Sequence, residues 1–239
     1  MLEFERPRDP LDARFRLAAA TRSVIDELAS STAGDDAFER ARDLVEAAAA
    51  ILLQRGHGRR YSGAEAAVVS SEHLGSFLDD SPFIGELNPL APPIVMAAQA
   101  DTTQADTAQA DTARADTAQA DTGRVVGEVT YGAAYEGPPS CVHGGFIAAG
   151  FDEVLGFAQA LTGRPGMTAR LEVQYRSPTP LHRALRYEGR IDRVEGRKIF
   201  AVGTLHHGDT LCAEAQALFV SMNPEVFQRL MQAREEPTR

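Results

Sequence analysis

The stretch YEGPPSCVHGGFIAAGFDEVLG, residues 135–156, runs a Pro/Gly-rich loop straight into a helix, and its reading decides the fold. Pro138 and Pro139 stiffen the approach, while Gly144 and Gly145 let the backbone turn closely enough to present bare N–H groups at the helix start. Ile147, Phe151, Val154, Leu155, Ala158 and Leu161 recur at helical spacing and mark a packed side. Gly145, Ala148, Ala149, Asp152 and Gly156 form a second side of small residues, which leaves room for a ligand or another helix. The carboxylate of Asp152 stands nine residues after His143 in this apolar setting, where a carboxylate is a candidate reactive group.

Working outward, the pattern around this helix is that of strands. Val125–Tyr131 precedes it, and Ile94-Val95-Met96 starts an earlier one. Four more follow at Met167–Arg176, Leu185–Val194, Arg197–His206 and Thr210–Met222, with Glu195-Gly196 and His207-Gly208-Asp209 as tight connections. The order predicts an α+β domain over 94–222, one long helix wrapped by a meandering antiparallel sheet. Asn223-Pro224 then opens a short C-terminal helix within 223–239.

Residues 1–58 carry two helical patterns, with Leu11, Phe15, Leu17, Val24, Ile25 and Leu28 in the first and Phe38, Leu44, Val45, Ala48, Ile51 and Leu52 in the second. They predict a helical hairpin whose stripes face a core as a packing accessory. Residues 59–93, with scattered Gly, Ser and Pro, form a linker. Residues 100–124 are five pentads, ADTTQ, ADTAQ, ADTAR, ADTAQ and ADTGR. On a helix each Asp would be turned about 140° from the last, so no constant apolar side results. Threonine at the centre of every pentad also departs from the Leu or Phe of a pentapeptide-repeat β-helix, and a polar, disordered insert is expected.

Composition narrows the function. The chain has 239 residues, 44% of them hydrophobic, and a net charge of −10, which argues against a nucleic-acid partner because no basic stripe is present. Cys141 and Cys212 lie far apart, and the start of the chain has no apolar leader core, so a reducing, cytoplasmic setting without a disulfide is expected. The apolar run 47–53 is far shorter than the roughly 20 residues that span a bilayer. Cys141 and His143 alone make a poor metal site, and none is expected.

The core from about residue 90 to 222 resembles a hotdog-fold acyl-CoA thioesterase of the phenylacetate-degradation type (PaaI-like). The matching features are His143-Gly144-Gly145 at the helix start, Asp152 within the helix, and Gly166-Met167-Thr168 opening a strand that ends in Tyr175-Arg-Ser-Pro178. The resemblance implies that the Gly144 N–H receives the thioester carbonyl and that Asp152 is nucleophile or general base. It also implies a hydroxyl at Thr168 that positions the water or the carboxylate. A helix N-terminus suits the first role, because its unpaired N–H groups favour charge developing on an oxyanion. His143 is expected to orient the loop. Where relatives carry an Asn or another polar residue before the HGG, this chain offers Glu136 and Ser140. The Asp/Glu and His spacings of the hydratases of this fold are absent.

Gly144 and Asp152 are eight residues apart, roughly 12 Å along a helix, too far for both to touch one thioester. Two copies with antiparallel central helices would bring Gly144 of one toward Asp152 of the other, so a homodimer or a dimer of dimers is expected. Gly145, Ala148 and Ala149 then line the acyl site, and Arg176, Arg197 and Lys198 are candidates for the phosphates of coenzyme A, which enters as part of the substrate. No other cofactor is implied. A hydrolase of lipid metabolism is the leading expectation, and a non-catalytic dimer that binds acyl-CoA or a protein partner is the alternative.

Overall fold

Helix α1 (Ala13–Ser30), helix α2 (Asp35–Leu53), strands β1 (Val95–Gln99) and β2 (Arg124–Val129), helix α3 (Gly144–Ala160) and strands β3 (Gly166–Tyr175), β4 (Leu185–Glu195), β5 (Lys198–His207) and β6 (Thr210–Ser221) follow one another along the chain. A computed structural model describes residues 12–53, 81–99, 124–164 and 166–221. The expected C-terminal helix, the pentads up to residue 123 and the linker up to residue 80 lie outside the described residues.

The six strands form one sheet in the order β1-β2-β4-β5-β6-β3, every neighbouring pair antiparallel. Each predicted strand is present, its ends within two or three residues of the sequence reading. The sheet wraps α3, the arrangement that the hotdog resemblance implies. Ile147, Phe151, Val154, Leu155 and Ala158 are all buried against it, together with Tyr187, Leu185, Ile199, Leu205 and Phe219 from the strands. Burying a side chain of this size contributes about 1.5–3 kcal/mol. Leu161, at the end of the helix, is only partly covered.

Besides a slip at one end of the β5–β6 ladder, where Leu205 pairs with Ala213 and His206 with Leu211, two one-residue irregularities curl the sheet. β3 is out of register between Thr168 and Arg170, and β4 between Ile191 and Arg193. Arg193 pairs with Phe200, Phe200 with Leu218 and Leu218 with Arg170, so both bulges fall on the same row. A bulge bends its strand and increases the local twist. It also reverses which residues face the helix.

The helix sits close. Tyr131 and Tyr187 are fully buried beneath it, with hydroxyls 3.0 Å apart, and they reach the carbonyls of Phe146 and Ile147 at 3.4 and 3.3 Å. Burial pushes both hydroxyls up, so they stay protonated as donors. A Cβ at Gly150 would fall 2.5 Å from the Tyr187 hydroxyl.

α1 is held to the domain by polar contacts. The Arg22 guanidinium donates to the carbonyls of Ala91, Glu86 and Asn88, and Asp26 accepts from the Ala134 N–H at 3.2 Å. Only Ala18 of α1 is buried. α2 buries no residue, and Leu44, Ile51 and Leu52 of its stripe are exposed. Both N-terminal helices are present, but the core contact expected for the second stripe is not found among the described residues. The first stripe is little better covered, with Leu17, Val24 and Leu28 exposed, because Arg22 and Asp26 seat α1 through carbonyls and a backbone N–H and not through its apolar face. No described helix is long and apolar enough to cross a membrane.

The close approach makes a paired prediction. Gly150→Ala should destabilise by about 2 kcal/mol through overpacking, which lowers the melting temperature by roughly 4–8 °C in a chain of this size. Gly156→Ala lies in the same helix, but its Cβ would meet only a Phe219 ring atom, at 4.0 Å. It should be neutral or stabilising by up to about 1 kcal/mol. Thermal melts of the two variants side by side check this, and equal effects would refute the packing account.

Candidate active site

α3 begins where its sequence can satisfy its own first turn. His143 is the N-cap, extended at φ −62° and ψ 131°, and its Nδ1 accepts the Gly145 N–H at 3.0 Å. The His143 carbonyl accepts the N–H groups of Phe146 and Ile147, at 2.9 and 3.4 Å. The Gly144 N–H remains, with no acceptor among the described residues. A helix start with one uncommitted donor can receive an oxygen that carries partial negative charge.

The approach loop is braced internally. Ser140 adopts φ 60°, and its N–H donates to the Glu136 carboxylate at 2.6 Å. Glu136, a candidate substitute for the missing polar residue, is therefore committed to the loop. Phe146, on the first turn of α3, stacks edge-on with Tyr135, their centroids 5.0 Å apart, and His143 packs against the same ring at 6.2 Å.

Two turns further along, Asp152 is exposed and accepts a hydrogen bond from the Thr168 hydroxyl, Oγ1 to Oδ1 2.8 Å. Its second oxygen has no partner among the described residues. Thr168 can reach it because of the bulge. Leu171 and Val173 are half-buried and Tyr175 reaches α3, so odd positions of β3 face the helix, and the extra residue at 169 moves position 168 to that face. The carboxylate thus has one oxygen fixed and one open, an arrangement that can attack an electrophile or take a proton from water.

The small-residue side keeps its character, with Gly145 exposed and Ala148, Ala149 and Gly156 half-exposed. The three cations do not gather at one place. Arg176, beyond the Gly144 end of β3, pairs with Glu214. Arg197 and Lys198 lie at the Thr168 end, because Lys198 and Met167 both pair with Val220 and the Arg197 carbonyl accepts from Ser221. Arg197 Nε is used on the Ser221 carbonyl at 3.0 Å, whereas the Lys198 ammonium has no partner among the described residues. Cys141 and Cys212 are free thiols, and among the described residues no group of three His, Cys, Asp or Glu is placed to hold a metal.

Two contributors were not assigned from the sequence. Tyr175, quoted only as part of a strand end, donates its hydroxyl to the Gly144 carbonyl at 2.7 Å. Glu153, adjacent to Asp152, turns the other way and accepts from the Ser81 hydroxyl at 2.9 Å. Burial pushes the Glu153 carboxyl up; the Ser81 hydrogen bond opposes this and the neighbouring Asp152 adds to it. The signal for Glu153 was the 100° step between successive helix positions, which sends neighbours to different sides.

Comparison with known proteins bears on the fold and the family. A family profile described as the thioesterase superfamily matches residues 140–214. A solved structure of a thioesterase superfamily protein superposes with a TM-score of 0.69 at 31% identity, over 88% of this chain and 96% of that one. Acyl-coenzyme A thioesterase THEM4 of Mus musculus is 38% identical over 96 residues, and its Xenopus laevis namesake 36% over 95. Those alignments cover 39% of this chain and 41% and 43% of the relatives, so the chain spans less than half the length of the curated relatives it matches.

Glu153 yields a pH-dependent prediction. A carboxyl raised in the folded state contributes most to stability below its unfolded value, and that contribution is lost as pH rises through the folded value. Glu153→Gln can still accept from Ser81 but never ionises. Its melting temperature should exceed that of the native chain by a few degrees at pH 8 and converge with it near pH 4, as followed by circular dichroism. A constant offset across this range would rule out burial of the Glu153 charge as the cause.

Proposed function

Since the chain belongs to the thioesterase superfamily, we propose that it hydrolyses an acyl-CoA thioester to a free acid and coenzyme A. The observation that carries the proposal is the pairing of Asp152 with the Thr168 hydroxyl at 2.8 Å on the helix whose first turn leaves the Gly144 N–H uncommitted. The thioester carbonyl accepts from the Gly144 N–H, and the negative charge of the tetrahedral intermediate collects on that oxygen. His143 orients the turn through Gly145.

Asp152 then acts in one of two balanced ways. As nucleophile, a carboxylate oxygen bonds to the acyl carbon and coenzyme A leaves as thiolate, taking a proton from water. A second water cleaves the resulting anhydride. As general base, Asp152 takes a proton from water while the water oxygen attacks, and returns that proton to the departing sulfur. Thr168 holds one carboxylate oxygen in both. In single-turnover hydrolysis with ¹⁸O-labelled water, label in Asp152 marks the first route.

The two half-sites are about 12 Å apart on one helix, which supports a site shared between two copies related by a two-fold axis, as homodimer or dimer of dimers. Gly145, Ala148 and Ala149 accommodate the acyl portion where two such helices face each other. Lys198, and Arg197 beside it, suit the phosphates of coenzyme A better than Arg176, whose charge Glu214 already neutralises. A cytoplasmic place in lipid metabolism belongs to the same proposal.

The test is thiol release from a panel of acyl-CoAs. Asp152→Ala should lower kcat about 10²- to 10⁴-fold, and Thr168→Val roughly tenfold. Mixing Asp152→Ala chains with Gly144→Ala chains should restore about a quarter of native activity, because half of randomly re-formed dimers are mixed and each has one intact site. Absence of release from every acyl-CoA, with binding retained, would favour a non-catalytic acyl-CoA binder. Release unchanged by Asp152→Ala would remove Asp152 from the chemistry.

A further inference from the structure

The Gly144–Gly145 peptide is held on both sides. Its carbonyl accepts from the Tyr175 hydroxyl at 2.7 Å, and its N–H donates to His143 Nδ1 at 3.0 Å. A peptide unit is planar, so fixing both its oxygen and its nitrogen fixes its orientation. The preceding peptide is fixed through its carbonyl, which accepts twice in the first turn. Gly144 lies between the two, and its own N–H is the donor left without an acceptor among the described residues.

We propose that Tyr175 is a positioning residue that keeps the Gly144 N–H aimed in one direction. The reason starts from the side chain that Gly144 lacks. A Cβ at position 144 would lie 3.1 Å from both Cζ and Oη of Tyr175, so the tyrosine ring occupies the space that any other residue would need. Glycine permits that approach and carries the greatest backbone freedom of any residue, which is a poor property for an oxyanion donor. The hydroxyl removes the freedom that the glycine introduces. Tyr175 is itself firmly based, because its backbone pairs with Ala213 and the next N–H donates to the Cys212 carbonyl at 2.8 Å.

This inference rests on the thioesterase reading for its kinetic consequence and on geometry alone for the clamp. Tyr175 is 53% exposed, so its hydroxyl adds little to overall stability, and loss of the bond should leave the melting temperature nearly unchanged. A misaimed donor should nevertheless weaken transition-state binding while the ground-state complex forms as before.

The experiment compares Tyr175→Phe with the native full-length chain on the best acyl-CoA, and follows amide hydrogen exchange at Gly145 by NMR. The expected result is a kcat lower by roughly tenfold with KM within twofold. Exchange at Gly145 should be several-fold faster. If kcat falls while Gly145 exchange stays native, the hydroxyl acts on substrate directly and the positioning role is overturned. Faster exchange with native kcat overturns it as well, because the peptide would then be held to no catalytic purpose. A rise in KM together with a fall in kcat and in melting temperature would mark a merely structural contact. If the native chain hydrolyses no acyl-CoA, the thioesterase reading fails, and the exchange comparison still decides whether Tyr175 holds the peptide.

Discussion

How closely α3 can approach the sheet governs the rest of this molecule. Beneath the helix, Gly127, Gly189 and Gly203 present no side chain, and a Cβ at any of them would meet Val154, Leu155 or Ile94 at 3.0–3.1 Å. Gly150 does the same from the helix side against Tyr187. Large residues then fill the margins, with Phe151, Leu155 and Phe219 fully buried. The tight fit fixes the helix in position and in rotation about its axis. Its buried side is committed to the sheet and its small-residue side is turned outward.

That commitment has a functional corollary. Between α3 and the sheet of one chain there is no room for an acyl group. In the proposed function the acyl portion therefore lies against the outward side, with Gly145, Ala148, Ala149 and Asp152. The proposed chemistry therefore depends on a surface that the chain leaves open, whereas a lipid pocket inside the protomer would require the glycines under the helix to be replaced by space.

Much of this was legible in the sequence, because period 2 and period 3.6 are read directly from apolar positions. The strands, the central helix and its two sides follow from Ile147, Phe151, Val154 and Leu155 and from the alternation in β4. What these periods could not give was anything that depends on a one-residue shift, so Thr168 was reached only through the family resemblance and Tyr175 was not assigned at all. Thr168 and Tyr175 are seven apart, which in a regular strand puts them on opposite faces, yet both bond to α3 because the register slips after Thr168. No local signature at Ala169 announces this. The stripe of α2 misled for another reason: amphipathic spacing states that a face can be buried and is silent about what covers it.

The edge strand β3 has one further meaning. Among the described residues it pairs only with β6, yet it supplies the groups that hold both Gly144 and Asp152. Edge elements open locally at lower free energy than the strands at the centre of a sheet. Peeling β3 away would release Gly144 and Asp152, the two halves of the proposed site, in a single event, while the helix and the other strands keep their packing. The two half-sites thus share one point of failure. Loss of catalytic competence on warming would be an all-or-none fraying of this strand, set in below the temperature at which the core itself gives way.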